Sequence, residues 1–334
     1  MTPRTSQLLL LVVLAYLITM TWQVWLGRPL VYSAAPQKAA LVHQAILDNH
    51  PPPGNSWEGL GCNGTNVRRV NVELVEALHR ATGVPLREAY FAIDTLFLFA
   101  SLVLLGLYLA RWLEPAWVAI GLLFYGAVGP LTYLFYFFHP WDRLSQLVWL
   151  AALWCLRDRK VWPFAALLVF GMAVKYDILP IVALWGAWTW RSDRRLAWAL
   201  QTAGLAALAI GTLKLLQFAY PGGFDAQSAG AVDHTWLLLR RTLDELMTRG
   251  FAFPPLLMFG LPIALAFAGW RHLDRYHRLA LLLGCVLFVP LTLGSNLREV
   301  RAQVPVLFLV LPAALQTLRR LLTPVTPDQV DGAS

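Results

Sequence analysis

Apolar segments that are long enough to form membrane-embedded helices recur along almost the whole chain, separated by short charged links. A helix crosses the hydrocarbon core of a bilayer with about 20 predominantly apolar residues. The pattern therefore predicts an all-α fold, a polytopic bundle of about ten transmembrane spans with amphipathic juxtamembrane helices. The candidate spans are residues 8–26, 90–110, 115–137, 144–156, 161–174, 178–190, 196–219, 251–270, 279–294 and 302–317.

The composition excludes a soluble domain. Apolar residues make up 58% of the chain and charged residues only 14%, against about 45–50% and about 25% in soluble proteins. We interpret the net charge of +8 as a signal of membrane orientation, so the expected partner is a lipid bilayer and no nucleic acid. The three cysteines, at positions 62, 155 and 285, lack the spacing of metal ligands.

The distribution of Lys and Arg predicts which side of the membrane each link faces. If the N-terminus is inside, the inner segments hold thirteen of these residues and the short outer segments seven. Because Lys and Arg are enriched in cytoplasmic links, both termini are predicted to be cytoplasmic. We expect an integral protein of the bacterial inner membrane, with residues 1–317 as one transmembrane domain and residues 318–334 as a short cytoplasmic tail.

Three consecutive spans are too short to cross the bilayer. Segments 144–156, 161–174 and 178–190 have 13–14 residues each, or about 20 Å of helix against a hydrocarbon core of about 30 Å. We expect their outer ends to stop below the membrane surface and to leave a recessed, water-filled cavity, where charge and irregular backbone are tolerated.

The first outer loop, residues 27–89, is predicted to contain two surface helices. One begins at Pro36 and runs to about Asp48, and the other runs from an Asn71 cap to Gly83, which suits the position after a helix end. A third helix, 236–247, is predicted in the outer segment 220–250. Since the inner links have only four to eight residues, the chemistry is expected on the outer side.

A His-Pro-Trp-Asp-Arg turn follows the span 115–137 and borders the short spans. The carboxylate of Asp142 is suited to bind a metal ion or a sugar hydroxyl, and His139 is suited to carry a proton or to bind the metal. Arg143 completes the turn. The alternative is a helix-capping Asp142 beside an interfacial aromatic anchor.

The sequence Lys175-Tyr176-Asp177 lies between two of the short spans. Charged residues within a membrane are costly and indicate function by default. The alternative is a mutual ion pair between Lys175 and Asp177. Asp94 and Lys214, which lie inside two other spans, are expected to pair with one another.

Two arginines precede the last span. Arg298 and Arg301 are three residues apart and share one helical face, which would make a fork for a phosphate group. The alternative is a solvated loop. In the first outer loop, Asp48 and Glu58 accompany the basic pair Arg68-Arg69, and spacing alone does not decide which carboxylate is a base.

This arrangement resembles the GT-C superfamily of polytopic glycosyltransferases, which use polyprenyl- or dolichyl-phosphate-linked sugars. The resemblance is architectural and touches residues 8–317. The first span leads into a large outer loop with two surface helices. The short spans, which a Lys-containing turn interrupts, come later in the chain. An outer segment with two arginines precedes the last span. The stretches that carry the resemblance are 69–79 with 89–90, 138–143 with the following span, 172–180 and 297–305.

The resemblance implies a catalytic carboxylate in the first outer loop. Residues 29–35, soon after the first span, hold no acid, which leaves Asp48 and Glu58 as catalytic candidates by position. It also implies that Asp142 binds the donor or a divalent metal ion, Mg or Mn. The substrate- and phosphate-binding set is then Arg69, His139, Asp142, Arg143, Lys175, Tyr176, Asp177, Arg298 and Arg301.

The implied reaction transfers a sugar from a polyprenyl-phosphate donor on the extracytoplasmic side. A carboxylate takes the proton of the acceptor hydroxyl, and positive groups stabilise the leaving phosphate. The acceptor, a glycan, a lipid or a protein, is left open. Two alternatives remain: a non-catalytic GT-C-like protein in a glycan-assembly complex, and a transporter of lipid-linked substrates.

Overall fold

The computed structural model describes residues 3–25, 36–50, 68–131, 140–190, 192–220, 240, 256–294 and 303–323. Within these ranges the chain is helical apart from short turns, which agrees with the predicted all-α class. The helices are α1 Pro3–Trp25, α2 Pro36–Leu47, α3 Val70–Thr82, α4 Leu86–Leu109, α5 Pro115–Leu131, α6 Asp142–Arg157, α7 Val161–Val174, α8 Ile181–Thr189, α9 Arg195–Ala219, α10 Leu261–Ala268, α11 Arg275–Gly294 and α12 Val304–Leu322.

Four segments of the described chain are long and apolar enough to cross a membrane, namely Thr5–Gln23, Leu86–Leu109, Ser192–Ala219 and Val304–Leu322. The first and third leave most of their apolar side chains on the surface. Leu200 and Phe218, for example, are 65% and 86% exposed. Large apolar surfaces of this kind mark contact with lipid or with another protein, so the fold is consistent with a membrane protein.

The remaining predicted spans also contain helices, but these are shorter or less apolar. Apolar helices below membrane length occur at Pro115–Pro130, Val161–Val174 and Met258–Ala268. The helices α6 and α8 have 16 and 9 residues. The figure of ten spans therefore stays a prediction.

Helix α12 forms the centre of the bundle. Its side chains from Val304 to Leu315 are almost entirely buried, and it packs against α5, α6, α10 and α11. Helix α6 packs in turn against α4 and α7. This packing fixes the first turn of α6, where Asp142 and Arg143 lie, within the core of the protein.

The two ends of the bundle carry different polar clusters. Where α6 ends and α7 begins, the Arg157 guanidinium lies 5.3 Å from the ring centroid of Trp188 and 5.5 Å from that of Tyr276. We call this the Arg157 end, and the opposite one the Lys175 end. The described links at the Arg157 end carry Arg111, Arg157, Arg159, Lys160, Arg194, Arg195, Arg271, Arg275, Arg278, Arg319 and Arg320 against Glu114, Asp158, Asp193 and Asp274.

The two surface helices predicted in residues 27–89 are confirmed as helices. Helix α2 covers Pro36–Leu47, and α3 ends at Gly83, whose φ of 71° is readily adopted only by glycine. The predicted Asn71 cap is wrong, because the N-cap position is Arg69 and the Asn71 side chain bonds elsewhere. The helix predicted at 236–247 lies outside the described residues except for Arg240.

A buried histidine holds α2 against α3 and α4. His43 Nδ1 lies 2.8 Å from the Tyr90 hydroxyl, and His43 Nε2 lies 3.1 Å from Glu76 Oε2. A neutral ring satisfies both contacts if Nε2–H donates to the carboxylate and Nδ1 accepts from the hydroxyl. The surface helices are thereby fixed beside the Lys175 end.

Candidate functional site: a charged cluster at the Lys175 end

The backbone breaks its helical course at Lys175. Helix α7 ends at Val174, Lys175 is extended, and a single 3₁₀ turn over Tyr176–Ile178 leads into α8. Pro180 stands at the N-cap position of α8, where its missing N–H interrupts no helical hydrogen bond. Gly171 lets the turn fold back closely, since Ile178 fills the space that a Cβ at position 171 would need.

The Lys175 ammonium lies between two carboxylates. Its Nζ is 3.1 Å from Asp142 Oδ1 and 2.8 Å from Asp177 Oδ2. Asp177 Oδ1 also accepts hydrogen bonds from Ser145 Oγ at 3.2 Å and from Trp149 Nε1 at 3.4 Å. The side chains of Lys175 and Asp142 are only 12% and 2% exposed. The ion pair of Lys175 with Asp177, the alternative that the sequence offered, is therefore formed, and Asp142 joins it.

Arg143 points into the bundle and lies away from solvent. Its side chain is fully buried, its Nε lies 3.9 Å from Asp94 Oδ2, and it donates to Gln146 Oε1 at 3.3 Å and to the Gly129 carbonyl at 3.4 Å. This position suits a residue that anchors α6 against α4 and α5, and it argues against the predicted contact with substrate. The predicted pair of Asp94 with Lys214 is wrong, because Asp94 lies beside Arg143 and Lys214 is exposed on α9.

A second arginine, Arg68, belongs to the cluster although the sequence did not single it out. Its guanidinium carbon lies 4.6 Å from the ring centroid of Tyr176 and 5.3 Å from that of Trp141. Both contacts are within the range of cation–π attraction. The only early signal for Arg68 was its position in a basic pair, and its partners lie more than seventy residues away in the chain.

The other predicted site residues lie apart from the cluster or outside the described chain. Arg69 donates to Glu73 and lies 4.2 Å from the Tyr220 ring centroid. Asp48 is exposed, and its carboxylate accepts from Gln44 Nε2 at 2.9 Å and 3.0 Å. No described contact joins either residue to Lys175. Glu58, His139, Arg298 and Arg301 lie outside the described residues.

The described part of the site does not fit a divalent metal ion. Asp142 and Asp177 both approach the Lys175 ammonium, which supplies the positive charge between them. Among the residues that the structure describes, no group of three or more His, Cys, Asp or Glu is arranged to hold a metal. Mg and Mn prefer about six oxygen ligands, and the expected metal at Asp142 stays a prediction.

The cluster combines a carboxylate, which can accept a proton, with a cation, which can bind an anion. Asp177, with 20% of its side chain exposed, is a carboxylate within reach of a ligand at the bundle end. Arg68 is a half-buried cation over the ring of Tyr176, the residue before Asp177. A search of protein-family models, of curated proteins and of solved structures finds no match to this chain, so its function has to be inferred from this site.

Proposed function

We propose that the protein is a membrane glycosyltransferase of GT-C type that transfers a sugar from a polyprenyl-phosphate donor on the extracytoplasmic side. The observation that carries the proposal is the charged cluster of Lys175, Asp142, Asp177 and Arg68 at one end of an apolar helix bundle. A lipid-linked substrate keeps its chain in the bilayer, and its phosphate needs a cation at the membrane boundary. A transferase also needs a carboxylate to accept the proton of the incoming hydroxyl.

The orientation is part of the proposal. The basic surplus in the links of the Arg157 end supports a cytoplasmic position for that end, by the enrichment of Lys and Arg in cytoplasmic links. The Lys175 end is then extracytoplasmic, and a model with ten spans and two cytoplasmic termini in a bacterial inner membrane follows.

Cysteine labelling tests this orientation. In a variant without native cysteines, a cysteine at exposed Ala81 should react with an impermeant thiol reagent in intact cells, and one at exposed Ser192 should not. The reverse pattern would overturn the orientation.

In the proposed reaction a first-loop carboxylate, Asp48 or Glu58, removes the proton from the acceptor hydroxyl as that oxygen attacks the anomeric carbon. The bond from the anomeric carbon to the phosphate oxygen breaks, and negative charge grows on the departing polyprenyl phosphate. Side-chain cations at the Lys175 end stabilise that charge. No step depends on a metal ion, and the Mg or Mn implied by the resemblance is tested by adding EDTA to the assay.

One observation favours a second candidate, a non-catalytic GT-C-like protein of a glycan-assembly complex. Asp142 and Asp177 both bind Lys175, and Asp48 bonds to Gln44. None of these described acids is poised as a base without a movement of the chain. In this alternative the cluster would bind a lipid-linked glycan without transferring it.

Transfer by the purified protein in liposomes distinguishes the two functions. The assay supplies polyprenyl-phosphate sugars as donors and compares the parent protein with Asp48→Asn, Glu58→Gln and the control Asp193→Asn, which changes an exposed acid at the Arg157 end. The proposal expects transfer by the parent and the control, and a loss of at least about 100-fold in one of the two first-loop variants. Binding of the donor without transfer by the folded parent would favour the non-catalytic candidate.

A further inference from the structure

Aromatic rings, and no carboxylate of the described residues, contact the Arg68 guanidinium. Its described contacts are with the rings of Tyr176 and Trp141, at 4.6 Å and 5.3 Å. Its Nε is buried and has no hydrogen-bond partner among the described residues. A buried guanidinium N–H without an acceptor is costly. Among the described residues, the guanidinium therefore lacks an oxygen acceptor for this N–H.

The other cations near the cluster are already compensated. Lys175 lies between Asp142 and Asp177, Arg143 lies beside Asp94, and Arg69 is bound to Glu73. An ammonium that two carboxylates neutralise attracts a further anion weakly. Lys175, which the sequence indicated as the phosphate-binding residue, is thus a poorer candidate for that role than Arg68.

Arg68 is only partly buried, so a ligand can approach its side chain. Rings bind the planar group through its faces, and its N–H groups point outward in the plane. Two parallel N–H groups match two oxygens of a phosphate, which is why arginine binds this anion in a bidentate manner. A carboxylate would match the same edge, but the nearby Asp142 and Asp177 are both used by Lys175.

We propose that Arg68 is the anion-binding residue of the Lys175 end and that it takes a phosphate monoester or diester through its N–H edge. Lys175 serves a different purpose. It neutralises Asp142 and Asp177, so that an incoming phosphate does not meet two uncompensated negative charges. That the phosphate belongs to a lipid rests on the proposed function. That Arg68 binds an anion rests only on the contacts of Arg68.

The position of Arg68 is fixed from two sides. The Asn71 side chain ties the start of α3 to the Pro140 carbonyl, next to Trp141. The Lys175 turn supplies Tyr176. Arg68 therefore lies where three parts of the chain come together only in the fold.

Binding of a short prenyl phosphate to the purified protein in detergent tests the assignment without requiring turnover. The variants are Arg68→Gln, Arg68→Lys and the matched control Arg80→Gln, which removes an exposed arginine of α3 that Glu76 already compensates. The probes are the prenyl phosphate, the corresponding prenol and inorganic phosphate, and thermal unfolding establishes that each variant is folded.

We expect Arg68→Gln to raise the Kd for prenyl phosphate at least about tenfold and Arg68→Lys to raise it by less. The control Arg80→Gln should leave the Kd within about twofold of the parent value. Prenol should bind equally to all four proteins. An unchanged Kd in folded Arg68→Gln, or a parent that binds prenol as tightly as prenyl phosphate, overturns the assignment. Equal affinity for inorganic phosphate, lost in Arg68→Gln, supports the anion site and assigns it to free phosphate. Arg68-dependent binding without sugar transfer would refute the proposed function alone.

Discussion

The side-chain amide of Asn71 donates a hydrogen bond of 2.7 Å to the carbonyl oxygen of Pro140. The bond joins the first turn of α3 to the turn before α6, and Asn71 is buried. It brings Arg68 next to Trp141, the residue that follows Pro140. A surface helix is in this way coupled to the core of the bundle at the candidate site.

Replacing Asn71 by Ala removes this link. The Pro140 carbonyl then loses the amide donor, and we expect a loss of about 1–3 kcal/mol in the free energy of unfolding. Thermal unfolding in detergent measures the effect. The control is Gln44→Ala, which removes an exposed hydrogen bond to Asp48 and should change stability by less than about 0.5 kcal/mol. Equal effects of the two changes would show that the Asn71 bond does not hold α3 in place.

Replacing Lys175 by Met leaves two carboxylates close together without their counter-charge. Removing one partner of a buried pair typically costs about 3–5 kcal/mol, and we expect a loss of this size in the free energy of unfolding. Adding Asp142→Asn to the Lys175→Met variant should recover part of it. Lys160→Met is the control, because Lys160 is 58% exposed and lies 3.8 Å from Asp158, so its loss should cost at most about 1 kcal/mol.

Gly171 provides a test of the close packing beneath the Lys175 turn. A Cβ at this position would lie 2.9 Å from Ile178 Cδ1 and 3.0 Å from Val148 Cγ1. We expect Gly171→Ala to destabilise the protein by about 1–3 kcal/mol and to weaken phosphate binding by displacing Tyr176. Gly204→Ala meets no atom within 4 Å and should be neutral or stabilising, since Ala favours a helix. A neutral Gly171→Ala would contradict this packing.

The packing of α2 on α3 and α4 should weaken in acid. Burial lowers the pKa of His43 despite its hydrogen bond to Glu76. The pKa of Glu76 is also lowered: burial would raise it, but hydrogen bonds to His43 and Arg80 outweigh that effect. Both groups therefore bind protons more readily in the unfolded chain, so stability is complete above the ordinary His pKa of about 6.5 and falls as the pH decreases below it.

Thermal unfolding at a series of pH values checks this prediction. We expect the melting temperature of the parent to decrease as the pH is lowered from about 6.5 to about 5. In His43→Gln the decrease at the higher pH values of this interval should be smaller. Replacing the exposed, non-titrating Leu41 of the same helix by Ala should leave the shape of the profile unchanged. A melting temperature that rises over the same interval would mean that protonated His43 is the form that the fold favours.

The features that depend on local sequence were predictable. Gly83 ends α3 because a glycine was available where the backbone needs a positive φ, and Pro36 begins α2. The ion pair of Lys175 with Asp177 also followed from the sequence, since the two residues lie in one link between short apolar segments and a buried charge needs a partner. These inferences required only spacing and the cost of burial.

The features that depend on neighbouring helices were not predictable. Asp94 has Arg143 and not Lys214 as its neighbour because α4 packs on α6, which the spacing within either helix does not indicate. Arg68 was overlooked for the same reason, since its partners are rings that the fold supplies from residues 141 and 176. Asn71 suits a helix cap by its residue type, yet the fold uses its amide for a contact with Pro140.

The most direct test of the account is an experimental structure of the protein with a bound polyprenyl phosphate. The account predicts the phosphate at the Lys175 end, with its oxygens within about 2.7–3.2 Å of the Arg68 guanidinium nitrogens, and Lys175 still between Asp142 and Asp177. A phosphate held elsewhere on the protein, for example at the Arg157 end, with no ligand at Arg68, would contradict it.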